Sequence, residues 1–202
     1  MDLSHIKKNF PLLCNHPDLV YLDSAATALK PATVIEAENS YYTDFSSNIA
    51  RGIYPMAEEA TEAFEKTRTT VASFIGAHPE EIIFTSGTTA SLNLVADLLS
   101  SSINKEDALV TTELEHHSNF LPWKELAHRS SATLHTLTVT QHGELELTTL
   151  DTLISDHTKI VSLSAVSNVL GIINPIKNII QKIRTINPKT IVVVDAAQTI
   201  GH

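Results

Sequence analysis

Four short stretches of this chain carry residue types whose chemistry is specific. Thr85-Ser-Gly-Thr-Thr89 places a glycine and two threonines where an apolar run gives way to a helical pattern. Amide groups at such a junction, with the helix dipole and hydroxyl donors beside them, suit a phosphate. A plain helix cap is the other reading of the same residues. Glu113-Leu-Glu-His-His-Ser-Asn119 follows a second apolar run. His116 there could lay its imidazole on a flat ring, or be an ordinary hydrogen-bonded loop histidine. Glu115-His116-His117 could also suggest a metal site, but adjacent histidines point apart in most backbones and no third ligand recurs at a fixed spacing, so a metal centre is not expected.

Val192-Val-Val-Asp-Ala-Ala-Gln198 puts Asp195 at the end of a β-branched run. A carboxylate at the C-terminal edge of a parallel sheet lies where α/β proteins bind ligands, and it could pair with a protonated ring nitrogen. A helix cap is its alternative. Gln198 is close enough in sequence to reach a ring oxygen. Asn168, in Val166-Ser-Asn-Val-Leu-Gly171, could do the same or simply occupy a turn. Taken in order, these stretches describe a pocket for pyridoxal phosphate. Its lysine is expected after Gln198, and none lies between there and His202. Arg51 could reach an anionic group, across a subunit interface or not, and otherwise is a solvated cation. Cys14, among Phe10, Leu12 and Leu13, is expected to be a packed small hydrophobe.

The elements that must position these residues alternate between two periods. Short strands are expected over 81–84, 108–111, 133–139, 159–163 and 191–194. Helices are expected from Leu92, Val95, Ala96 and Leu99, over 119–129, and from Pro175 onward with Ile176, Ile179, Ile180 and Ile183 on one face. The run 191–194 has the composition of a strand buried on both faces. Strand and helix in alternation imply an α/β fold with a mostly parallel sheet flanked by helices. Before it, a long amphipathic helix runs from Met56 to Ile75, preceded by turn-like pieces at 23–27 and 30–31. The expected division is an arm with short helices over 1–55 and the first part of a large ligand-binding domain over 56–202. The expected sheet lacks closing elements at its C-terminal side.

With 202 residues, 43% of them hydrophobic, the chain can bury a substantial core. A net charge of −9 argues against a nucleic-acid footprint. One cysteine excludes an internal disulfide framework. The first eight residues have no secretory apolar core and no stretch is long enough to span a bilayer, so a cytoplasmic protein is expected.

Seven motifs in order now give a resemblance: Tyr21-Leu-Asp-Ser-Ala-Ala-Thr27, Arg51-Gly-Ile53, Ala60-Thr-Glu62, Ile83-Phe-Thr-Ser-Gly-Thr-Thr89, Glu113 to Asn119 with Pro122-Trp123, Val166 to Gly171, and Val194-Asp-Ala-Ala-Gln198. The chain resembles the class V aminotransferase superfamily, and within it the group II cysteine desulfurases of the Suf and Csd type, over essentially its whole length. The resemblance implies the large domain of a fold-type-I pyridoxal-phosphate enzyme and a homodimer. It implies conversion of L-cysteine, or selenocysteine, to L-alanine. The sulfur would pass through an enzyme persulfide to an acceptor protein for iron–sulfur cluster assembly. Thr88 and Thr89 would bind the phosphate, and His116 would stack on the ring as the candidate catalytic residue. Asp195 would pair with the ring nitrogen, and Asn168 and Gln198 would contact the ring oxygen. The family's Schiff-base lysine, catalytic cysteine and substrate-carboxylate arginine would lie beyond His202, so these 202 residues alone are expected to be inactive. Ala50, Ser86, Ala90 and Ala196 stand where many relatives carry histidine, arginine, glutamate and glycine. The choice among desulfurase, selenocysteine lyase and another class V enzyme (aminotransferase, epimerase, kynureninase-like hydrolase) stays open. So does a natural short form that acts as a binding partner.

Overall fold

The computed structural model describes residues 4–201; Met1–Leu3 and His202, the ends on which the leader and terminus expectations fall, lie outside the described residues. The chain divides into two compact units, residues 1–84 and 85–202.

The first unit is helical. It contains α1 (Ser4–Lys7), α2 (Pro11–Asn15), α3 (Ala32–Asp44) and α4 (Pro55–Ile75). The long helix α4 follows the expected periodicity, with Ala57, Ala60 and Ala72 buried and a proline in its first turn. Small buried residues let other backbone approach closely. A Cβ added at Gly52 would stand 2.1 Å from the Ala57 Cβ. Further along α4, the Arg68 guanidinium lies 5.1 Å from the Phe64 ring centre and 5.3 Å from that of Phe84, and it donates to the Ile82 carbonyl. That clamp holds segment 82–84 as irregular chain rather than the expected strand. No partner strand pairs with it among the described residues, and Ile83 is exposed. The tyrosine-rich helix α3 was not legible as a helix because it has no buried residue to impose a period. Cys14 is exposed rather than packed, since α2 is a five-residue helix with no buried face.

The second unit is a three-layer α/β arrangement. Its strands are β1 (Ala108–Thr112), β2 (Thr133–Leu137), β3 (Thr158–Ser164) and β4 (Ile191–Asp195). They form one parallel sheet in the order β2-β1-β3-β4. Helices α5 (Thr88–Leu99), α6 (His117–Ser130), α7 (Leu150–Leu153) and α8 (Ile176–Ile186) complete it. Alternate residues of each strand face opposite layers. Leu109 and Ile160 pack with Leu92, Ala96, Trp123 and Leu126 of α5 and α6. Val110, Val161 and Leu163 pack with Leu150, Ile179 and Ile183 of α7 and α8. The strand 191–194, expected to be buried on both faces, is an edge strand: Ile191 is exposed and Val192 to Val194 are half-buried. Helices cover its faces only in part, and its β-branched composition reflects contact with both core clusters through Val192 and Val193. The chain moves outward from β1 to β2 and then returns to the other side of β1 for β3. This reversal makes the boundary of β1 and β3 the switch point of the sheet, beside whose C-terminal ends sheets of this kind bind ligands. No helix is long and apolar enough to cross a membrane among the described residues.

Candidate functional site

Six of the residues singled out in the sequence, Thr88, Thr89, His116, Asn168, Asp195 and Gln198, lie in the second unit. Helix α5 begins at Thr88, directly after Gly87, whose φ of +151° and ψ of 173° suit glycine alone. The Thr85 hydroxyl shapes this turn by donating to the Gly87 carbonyl at 3.1 Å and meeting the Ser91 hydroxyl at 2.7 Å. No side chain caps the helix, and its first bond runs from the Ser91 N–H to the Gly87 carbonyl. The amides of Thr88, Thr89 and Ala90 therefore point out of the first turn, at the positive end of the dipole.

Asp195 ends β4 with 7% of its surface exposed. Its Oδ1 accepts the Ala197 N–H at 3.0 Å. Among the described residues no lysine, arginine or histidine forms an ion pair with it. A carboxylate this buried suits a cationic partner supplied from elsewhere. Asp195 and Thr88 line one cavity of about 370 Å³, closed on its apolar side by Leu92, Val95 and Val193. Next to it in sequence terms, Thr89 and His116 line a second cavity of about 410 Å³, together with His117 and Ser118. His116 is the N-cap of α6: its Nδ1 accepts the Ser118 N–H at 3.2 Å and meets the Ser118 hydroxyl at 2.8 Å. A ring nitrogen that accepts leaves the proton on Nε2.

The other two candidates sit apart from these walls. Asn168 is half-buried in the turn after β3 and lines neither cavity. Gln198 is half-buried in the turn after β4, engaged in contacts of its own, and lines neither. Arg51 lies in the first unit, exposed in a turn where Ala50 adopts φ +70°.

Glu115, weighed in the sequence only as a metal ligand, and Asn119, given no role there, tie the ends of β1 and β3 to α6. The Glu115 carboxylate accepts four hydrogen bonds: from the Thr112 hydroxyl at 2.6 Å, the Ser164 N–H at 3.0 Å, the Ser164 hydroxyl at 2.6 Å and the Asn119 side-chain amide. Asn119, fully buried, accepts in turn from the Trp123 indole at 3.0 Å and the Ser162 hydroxyl at 2.7 Å. Asn119 and Trp123 share one face of α6, and Glu115 lies just before the helix, so polar residues at i and i+4 before a tryptophan were the available signal.

Residues 20–202 match the family described as aminotransferase class-V. The chain belongs to that family. Among its class-V relatives, a probable cysteine desulfurase of Streptomyces coelicolor is 40% identical over 212 residues, covering 100% of this chain and 50% of the relative. A cysteine desulfurase of Yersinia pestis is 42% identical over 205 residues, covering 99% of this chain and 50% of the relative. The apo structure of a cysteine desulfurase from Thermococcus onnurineus superposes with a TM-score of 0.92 at 38% identity, over 100% of this chain and 49% of that one. The chain spans about half the length of the curated relatives it matches, and it matches their N-terminal half. The expected α/β class, with a parallel sheet flanked by helices, is what the class-V chain adopts.

Proposed function

We propose that this chain forms part of the cofactor-binding domain of a pyridoxal-phosphate-dependent cysteine desulfurase. The observation that carries the reading is Asp195, a buried carboxylate without a cationic partner among the described residues, facing a cavity it shares with the start of α5. The cavity volumes fall in the range of sites for small cofactors, about 300–1,000 Å³. The donor set also fits the group: amides and hydroxyls for a phosphate, an imidazole beside them, and a carboxylate for a ring nitrogen.

Pyridoxal phosphate, when bound, supplies a protonated ring that draws electron density from the substrate's α-carbon. Asp195 would hold the proton on the ring nitrogen, and the Ala197 N–H keeps that carboxylate oriented. Thr88 and Thr89 would bind the phosphate through their amides and hydroxyls. His116 would lay its ring on the cofactor with Nε2–H available at its edge. Asn168 and Gln198 would donate to the ring oxygen, each from the loop after its strand. We place the lysine and the catalytic cysteine in the half of the relatives' length that this chain does not span. The whole reaction converts L-cysteine and an enzyme thiol to L-alanine and an enzyme persulfide, which balances without an external oxidant. An acceptor protein in iron–sulfur cluster assembly, a homodimer and a cytoplasmic setting complete the proposal.

The test is a comparison of two proteins. A full-length protein that carries this sequence is expected to release alanine from L-cysteine in step with persulfide or sulfide. The 202 residues alone are expected to bind pyridoxal phosphate reversibly, by equilibrium dialysis, and to form no alanine. Alanine and sulfide in equal amounts from the 202 residues would overturn the assignment of the lysine and cysteine to the other half. No dialysable cofactor binding would overturn the pocket.

A further inference from the structure

The geometry points to Glu115 and Asn119 as positioning residues that fix the His116 imidazole, an inference that rests on the cofactor reading above for its purpose. His116 is bracketed. The residue before it is bolted by its carboxylate to both sides of the switch point, through Thr112 at the end of β1 and Ser164 at the end of β3. Three residues after it, Asn119 gives its N–H to the His116 carbonyl at 2.8 Å while its side chain is held by Trp123 and Ser162. Glu115 and Asn119 are joined to each other. The backbone of His116 is therefore held on both sides, and the Ser118 N–H, donating to Nδ1, selects the ring's orientation and tautomer.

Donor and acceptor roles in this network are forced by two groups that cannot turn round. The Trp123 indole and the Ser164 amide only donate. Asn119 must therefore present its oxygen to Trp123 and its amide to Glu115, and Glu115 must accept on both oxygens. In Glu115→Gln, the oxygen must serve the Ser164 amide, so the new NH2 group faces the NH2 of Asn119. In Asn119→Asp, two carboxylates meet at hydrogen-bond distance. The double variant Glu115→Gln/Asn119→Asp restores a donor facing an acceptor with the net charge unchanged. A double-mutant cycle isolates that coupling.

Each single variant, made in the full 202-residue chain, is expected to lower hydrogen-exchange protection of the Ser118 amide by about tenfold or more. Each should also replace the single Nε2–H signature of His116 in nitrogen NMR with a tautomer mixture. Pyridoxal phosphate affinity, by equilibrium dialysis, should fall by a similar factor. The double variant should recover all three to within about threefold. Should either single variant fail to fold, Ser164→Ala, which removes one donor and no charge, is expected to show the same changes in weaker form. Uniform destabilisation, with the Ser118 and His116 signals unchanged relative to the rest of the chain, would overturn the proposal, and so would a double variant no better than the singles. A chain that shows the exchange and tautomer pattern but binds no pyridoxal phosphate would support the positioning and overturn the cofactor reading alone.

Discussion

Ser164 and Asp195 are register partners at the last positions of β3 and β4. The pairing continues one step beyond the strands, where the Ala165 N–H donates to the Asp195 carbonyl at 2.8 Å. Both side chains are buried, yet their tasks differ: Ser164 serves the Glu115 carboxylate and Asp195 faces a cavity. Two adjacent strands thus deliver one anchoring group and one cavity-lining group to the same edge of the sheet.

Asp195→Asn separates those tasks. The amide oxygen of asparagine can still accept from Ala197, so the turn should survive, and removal of a buried charge should not lower stability. The charge is lost, and with it the pairing to a protonated ring nitrogen. Pyridoxal phosphate affinity should fall by about tenfold or more, as expected for loss of a charge-assisted bond. Dialysis and urea unfolding on the same sample measure the two effects. An unchanged affinity would remove Asp195 from the ligand site.

Gly87→Ala should act on the start of α5 through backbone conformation, not space. A Cβ there meets nothing within 4 Å, but φ +151° is costly for any other residue. A loss of about 1–3 kcal/mol is expected, with weaker hydrogen-exchange protection of the Ser91 amide, the first bonded amide of α5. Gly52→Ala is the converse case. Its Cβ would press on the buried Ala57 Cβ, so an overpacking cost of about 1–3 kcal/mol should appear in the first unit without any effect on cofactor binding.

The parallel sheet was legible because apolar or alternating runs are interleaved with the 3.6-residue periods of α5, α6 and α8, whereas α7, with four residues, is too short to show one. The places of His116 and Asp195 in the fold were legible because each follows an apolar run that forms a strand, and the start of α5 was legible from a glycine before a helical pattern although the run before it is no strand. The segment 81–84 misled because its residues are β-formers, and whether a strand forms depends on a partner that local sequence does not reveal. Helix α3 was missed for the opposite reason, since a helix that buries no residue writes no period into its sequence. Glu115 and Asn119 escaped because their value depends on Ser162 and Ser164, which lie more than forty residues away and meet them only through the order of strands.

Asp44 gives a pH dependence of known sign. Hydrogen bonds from the Ser40 hydroxyl at 2.7 Å and the Thr43 hydroxyl at 3.0 Å favour its charged form and lower its pKa from the ordinary 3.8. A depressed carboxylate contributes stability that is present above the unfolded pKa and lost as pH falls through the folded one. The last turn of α3 should therefore loosen only below the ordinary carboxylate range. Ser40→Ala should raise the Asp44 pKa toward its ordinary value, read by carboxyl-carbon NMR titration. No movement on this substitution would mean that the hydroxyl is not the source of the shift.

Helix α8 offers a test of the layer arrangement. Ile179 and Ile183 are buried in the cluster with Val110 and Val161, whereas Lys177 and Gln181 of the same helix are exposed. Ile183→Ala removes a fully buried side chain from between α8 and the sheet, and should cost about 2–5 kcal/mol. Gln181→Ala should change stability by no more than about 0.5 kcal/mol. The two costs differ because one residue loses apolar contacts on every side and the other loses only water. Urea midpoints at constant slope measure both. Equal costs would mean that α8 does not pack against the sheet through its isoleucine face.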